Sequence, residues 1–258
     1  MNTHRNIAPA ALAMIAALGM TACKPAAAKG APAAGAAAAA PVAGALTVQP
    51  QADLGPENQA MPRFAGGDAA ATAKINLAMS KLDASTKEGL TSCPDQPHGG
   101  QSQTVKVARN GPDFVVVQVT YESDCGAYPS SGTNDFFFDA KTGDLVDWSK
   151  LIPDAAATYA FHDEDLYSNA FNSAPLQARV VAAGKKETDP DFLKDCLPVL
   201  EEGELSFTVN LDDEKGVLDV TPDLPHVVQA CADSLRLTPA DLTALHADPR
   251  LVALVGQK

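Results

Sequence analysis

The sequence lacks the short motifs by which many enzymes are recognised. No G-x-S-x-G elbow positions a nucleophilic serine, and no H-E-x-x-H pair offers two histidines to zinc. A phosphate-cradling Walker loop and a dinucleotide fingerprint are absent too. Basic residues are scarce, 19 Lys and Arg against 32 Asp and Glu, for a net charge of −13. That balance argues against nucleic acid and anionic lipid as partners held by charge. Beyond the N-terminal segment no apolar run is long enough to span a bilayer, which takes about 20 residues. Neither CxxC nor a close Cys/His spacing occurs, so no zinc site is expected. The five histidines are scattered, and His98, His162, His226 and His246 all read as structural or solvated side chains. Three acidic clusters, Asp163-Glu164-Asp165, Glu201-Glu202-Glu204 and Asp212-Asp213-Glu214, read as solvated charge. The first suits a helix start and the third a hairpin tip. No catalytic residue, metal ligand or cofactor site is assigned.

The N-terminus reads as a targeting segment. His4 and Arg5 make a short polar start, and Ile7 to Met20 is almost wholly apolar. The run is too short for a comfortable permanent span. It ends in Gly19-Met20-Thr21-Ala22-Cys23, which resembles the lipobox of bacterial lipoproteins, with Met20 where leucine is commoner. The resemblance implies a signal peptide over 1–22 and a diacylglyceryl (palmitate-bearing) anchor on Cys23. Lys24 follows, where aspartate would resemble the inner-membrane retention signal. The resemblance therefore implies an outer-membrane lipoprotein facing the periplasm. Residues 24–44 are mostly Ala, Pro and Gly, with too little apolar side chain to offset the entropy of ordering. Residues 23–46 are read as a lipidated tether, and 47–258 as one domain large enough for a real core.

Four further cysteines, Cys93, Cys125, Cys196 and Cys231, make an even number in an exported chain, and so two disulfides are expected. Cys93–Cys125 and Cys196–Cys231 are the favoured pairs, because each closes a loop of about 30 residues within one half of the domain. Each contributes roughly 3–4 kcal/mol by chain entropy.

Along the domain, Ala71, Ile75, Ala78, Met79 and Leu82 share one face of a helix predicted from Asp68 to Gly89. Thr104 to Arg109 and Phe114 to Tyr121 read as strands around the turn at Asn110-Gly111, the second buried on both faces. Asn134 to Asp139 is an aromatic strand; after the turn at 141–144, Leu145 to Trp148 is expected to return as a strand. Helices are expected at Asp163 to Phe171, at Leu176 to Ala183 and from Pro190, the last interrupted at Pro198. Leu205, Phe207 and Val209 alternate as a strand, which turns through 212–216 into Val217 to Val220. Thr238 opens a capped helix and Asp248-Pro249 another. Strand runs broken by helices, with two hairpins, predict an α+β fold with an antiparallel sheet and helices packed on it.

The segment Tyr121 to Leu151, YESDCGAYPSSGTNDFFFDAKTGDLVDWSKL, resembles the centre of RsiV-like exported domains. These are domains of unknown function found in lysozyme-sensing anti-sigma factors and beside some peptidoglycan deacetylases. Ile75-Asn76 and the hairpin and helix from Phe207 to Leu242 fit the same pattern. The chain departs from it at Tyr128, near where histidine is common, and in its four extra cysteines. The resemblance implies an envelope binding domain, with a cationic lysozyme-type protein or a cell-wall ligand as partner. A hydrolase acting on peptidoglycan or another envelope polymer is the alternative. The loop from Asp124 to Asn134, bearing Tyr128, is the candidate contact; its plain alternative is a disulfide-pinned turn.

Overall fold

The computed structural model describes residues 46–92, 100–124, 129–155 and 170–257. It is α+β, as the sequence predicts, with antiparallel strands divided over three sheets. Strands β1 (Thr47–Gln49) and β2 (Arg63–Ala65) pair as a small ribbon. Helix α1 (Ala69–Ser92) follows, then β3 (Gln101–Asn110), β4 (Phe114–Ser123) and β5 (Ser130–Asp139), which form a meander in the order β3-β4-β5. Next come α2 (Trp148–Leu151), β6 (Phe171–Asn172), α3 (Ala174–Gly184), a π-turn at Phe192–Cys196 and α4 (Leu197–Glu201). Strands β7 (Ser206–Asp212) and β8 (Val217–Pro222), a 3₁₀ turn at His226–Cys231 and β9 (Leu235–Leu237) complete a four-stranded sheet, β6-β7-β8-β9. Two short helices, α5 (Pro239–Ala244) and α6 (Pro249–Gly256), end the described chain.

Local chemistry explains most boundaries. Asp68 Oδ1 accepts from the amides of Ala70 and Ala71, both at 2.9 Å, and so caps α1. Gly89 does not end the helix, which runs three residues further; a single glycine inside a helix costs only about 1 kcal/mol. Thr238 and Asp241 form a reciprocal capping box. Asp248 accepts from the Arg250 amide at 2.8 Å to open α6. Pro198 sits in the first turn of α4, where its missing N–H costs nothing, and the turn before it widens so that the Leu197 amide reaches back to the Phe192 carbonyl. The strand expected at Leu145 to Trp148 shrinks to one bridge, Leu145 to Phe138, because Asp147 caps the amide of Ser149 and turns the chain into α2. Of the helix expected at Asp163 to Phe171, only Ala170 and Phe171 are described, and Phe171 lies in a strand.

Two apolar cores result. Ile75, Met79 and Leu82 of α1 cover one face of the meander, packing with Val115, Val117, Phe136 and Phe138. The 141–144 turn presses on α1: Gly143 has φ +73°, and a Cβ there would stand 2.1 Å from the Ala71 carbonyl oxygen, so only glycine fits. The second core joins the meander's other face to the four-stranded sheet through Phe114, Val116, Phe137, Trp148, Phe171, Phe207 and Leu218. The β4 strand is indeed buried on both faces from Phe114 to Val117, but Gln118 and Thr120 break that pattern.

Cys196 and Cys231 are bonded, with S–S 2.07 Å, and join the π-turn to the 3₁₀ turn. Cys93 and Cys125 lie outside the described residues. No helix among the described residues is long and apolar enough to cross a membrane.

Candidate functional site

The face of the meander turned away from α1 changes character halfway along. Its upper half enters the second core, whereas Lys106 of β3, Gln118 of β4 and Thr133 of β5 are left uncovered. The strict alternation of β7 and β8 does the same for the other sheet. Phe207, Val209, Leu211, Leu218 and Val220 point inward, so Asn210, Asp212, Asp219 and Thr221 point outward. Between these two polar faces lies a cleft of about 390 Å³. Ten of its eleven lining residues are polar, Leu211 being the exception.

Asp135 stands at the base of this cleft, where the two sheets meet. It is fully buried, 0% exposed, yet sits between Asn134 and three consecutive phenylalanines. Its Oδ2 accepts from the Leu211 amide on β7, and its Oδ1 accepts from Gln118 Nε2 at 3.0 Å. The carboxylate therefore caps an edge amide of the second sheet that β6, only two residues long, does not reach. Burial pushes its pKa up to about 6, and nearby Asp213 adds to the rise, while the Leu211 and Gln118 hydrogen bonds and Lys106 pull the other way. A carboxyl at that value is of the kind general-acid chemistry uses. Here both oxygens are engaged and none of the side chain reaches solvent, so Asp135 joins the sheets and does not meet a ligand.

A pH dependence follows. The folded carboxyl titrates near 6 and the ordinary carboxyl near 3.8, so between those values the folded state holds a proton that the unfolded chain has lost. Asp135 thus favours the fold at low pH and costs up to about 3 kcal/mol as pH rises from 4 to 6. Asp135→Asn keeps an oxygen for the Leu211 amide and removes the charge. The variant is expected to unfold at higher urea than the parent at pH 7, with the advantage shrinking towards pH 4. Parallel urea midpoints for the two proteins across that range would contradict the assignment. Below pH 4 both should lose stability, because several carboxyls are held below their usual range. Hydrogen bonds from Lys215 do this for Asp212, and hydrogen bonds from Arg250 do it for Asp248. For Asp139 burial acts upward, but hydrogen bonds from Arg250, Lys141 and Thr142 outweigh it.

The acidic tip at 212–214, read from sequence as solvated, folds onto the meander. Asp213 pairs with Lys106 at 2.8 Å and lies 3.9 Å from Arg109, so the β7–β8 turn is tied to β3. Asp212 binds Lys215, and Asp219 lies 3.5 Å from Arg236. Glu214 is exposed at the cleft and has no ion pair among the described residues. Among the described residues no group of three or more His, Cys, Asp and Glu is arranged to hold a metal ion.

Sequence reasoning names a different candidate contact, the loop bearing Tyr128. Tyr128 lies outside the described residues, as do His98, His162 and the 163–165 acids. Glu201 pairs with Lys185 at 2.8 Å, and His246 Nδ1 with Asp154 Oδ2 at 2.5 Å, both on the surface. The loop expected from Asp124 to Asn134 is shorter than supposed: from Ser130 onward the chain is strand, paired from Ser123↔Ser130 to Phe114↔Asp139. The residues that reasoning missed are Asp135, Thr133, Gln118 and Lys106. The available signal was a lone acid at an alternate position of an aromatic strand.

No family profile matches the sequence, and no curated protein matches it. Among solved structures, a DUF3298 family protein from Pseudomonas aeruginosa is similar with a TM-score of 0.39 and 17% identity, over 66% of this chain and 71% of that one. So distant a likeness carries no argument about what this chain does.

Proposed function

We propose that the chain is an exported lipoprotein of the outer membrane, acylated at Cys23 and tethered by residues 24–46, whose domain binds a cationic protein in the polar cleft between its sheets. The observation that carries the binding reading is the lining of the cleft: it holds Asp212, Asp213, Glu214 and Asp219 with one cation, Lys106, and although Lys106, Arg109, Lys215 and Arg236 pair with three of these acids, exposed Glu214 has no ion pair among the described residues. A lysozyme-type protein is the concrete partner, and the tether would hold the cleft clear of the bilayer to receive it. The targeting half rests on the apolar run ending in Thr21-Ala22-Cys23 and the Ala/Pro-rich stretch after it.

The two halves are tested separately. Cys23→Ser should abolish acyl labelling and move the chain out of the membrane fraction; persistent labelling would refute the anchor. For binding, the association rate of the mature chain with a panel of lysozymes should fall steeply as salt rises through about 0.1 M, where the Debye length is about 10 Å. Glu214→Lys should slow association several-fold at low salt and leave the fold intact, since its side chain is exposed. Tyr128→Ala tests, in the same assay, the contact that the sequence alone suggests. Failure of every lysozyme to bind at low salt would remove this partner class.

A further inference from the structure

Several backbone edges of the two larger sheets have cover. On β3, the Gln103 amide donates to the Glu57 carbonyl at 2.9 Å, the Gln59 amide donates to Gln103 at 3.0 Å, and the Val105 amide donates to Gln59 Oε1 at 2.8 Å. The far half of β5 is covered by the chain that follows it: the Val146 amide donates to Phe137 and the Asp139 amide to Asp144, both at 2.9 Å. On β7, β6 pairs with Ser206 and Phe207, and Asp135 takes the Leu211 amide.

Those same bonds set the phase of β5. Phe137 and Asp139 turn their backbone groups away from β4, and the β4–β5 register runs without a shift from Ser123↔Ser130 to Phe114↔Asp139. Ser131 and Thr133, at even spacing from Phe137, therefore turn theirs outward as well. Neither has a backbone partner on that side among the described residues. The stretch Ser130 to Asn134 also lacks the usual protections of an edge strand, which are lysine, proline and a bulge. Thr133 lines the acidic cleft, so a strand laid along this edge would run beside it. Every second side chain of that strand would face the cleft, where Glu214 is the lining acid without an ion pair among the described residues.

We infer that the free edge of β5 at Ser131 and Thr133 is a docking edge for an extended segment of a partner protein, added as a β-strand with basic side chains at alternate positions over the cleft. This rests on the cationic-partner reading above and gives it a geometry. Main-chain hydrogen bonds would supply affinity, and the alternating charges would set orientation and register.

The probe is a capped peptide of roughly eight residues, alternating lysine and threonine, titrated into the mature chain at low salt. Two derivatives carry backbone N-methyl groups, one on every lysine and one on every threonine. In an added strand only alternate amides face the edge, so one derivative should bind about tenfold more weakly and the other like the parent. Simple charge attraction would not distinguish them. Thr133→Pro should reproduce the loss, because proline at an outward-facing edge position removes a free amide and leaves the β4 ladder intact. Equal binding of both derivatives would overturn strand addition while leaving the cationic reading in place, whatever Thr133→Pro does. If lysozymes bind and the parent peptide does not, strand addition is again overturned. If neither binds at low salt, both readings fall.

Discussion

Phe137→Ala is expected to destabilise the protein by about 3–5 kcal/mol, as removal of a fully buried phenylalanine does. Phe137 is 0% exposed and begins an aromatic series that crosses from one sheet to the other. Its ring meets Trp148 edge-on at 5.0 Å; Trp148 lies 6.0 Å from Phe171, and Phe171 lies 6.4 Å from Phe207. The four rings come from β5, α2, β6 and β7, so the cavity left by the truncation opens at the seam between sheets, where neither sheet alone can relax to fill it. The reporter is built in, because Trp148 is the sole tryptophan. Urea unfolding followed by its emission should show the loss, together with a changed spectrum of the folded state. Phe136→Ala removes a ring from the core beneath α1. It should cost a similar amount and leave the folded-state emission unchanged. An unaltered Trp148 spectrum in Phe137→Ala would show that the ring contact is not formed.

Joint replacement of Cys196 and Cys231 by alanine should cost about 3–4 kcal/mol by the chain-entropy argument, since the bridge closes a loop with a sequence separation of 35. The loss should be largest in the segment that the bridge organises. The π-turn contributes no fully buried side chain of its own, and the 3₁₀ turn leaves Val227 90% exposed. Both turns therefore depend on the covalent link more than the strands do. Amide exchange should accelerate at 192–201 and 226–231 well before it does in β7 and β8. Uniform acceleration across the four-stranded sheet would mean that the bridge supports the global fold and not these turns.

Much of this architecture was legible in the sequence, and the reason is locality. The α1 cap at Asp68, the capping box at Thr238, the Asn110-Gly111 turn and the alternation of Leu205, Phe207 and Val209 are each written within a few residues. Where a feature depends on a distant partner, the sequence was mute. Leu145 has the composition of a strand residue, but whether it extends one depends on how Asp147 caps the next turn. Asp213 looks like solvated charge until β3 brings Lys106 beside it, 107 residues away. Asp135 is the sharpest case. Its role comes from an amide 76 residues away, on a strand whose own partner is too short to satisfy it. The cleft was illegible for the same reason: it belongs to neither sheet and exists only because two polar faces converge there.

The last described helix has a temporal consequence. Arg250 of α6 reaches Asp139 at the end of β5 at 2.8 Å and lies over the ring of Phe114, 5.4 Å from its centre. Arg109 reaches the Gln257 carbonyl at 2.9 Å, across 148 residues. The meander can assemble from short-range pairings as soon as it is made, but the far end of its second face waits for the final turn of helix. Closing such long loops is slow, because the entropy is lost before the contact forms. A chain growing from its N-terminus therefore carries Phe114 uncovered on that side until α6 has been made. Until then this end of the meander is exposed apolar surface of the kind chaperones bind.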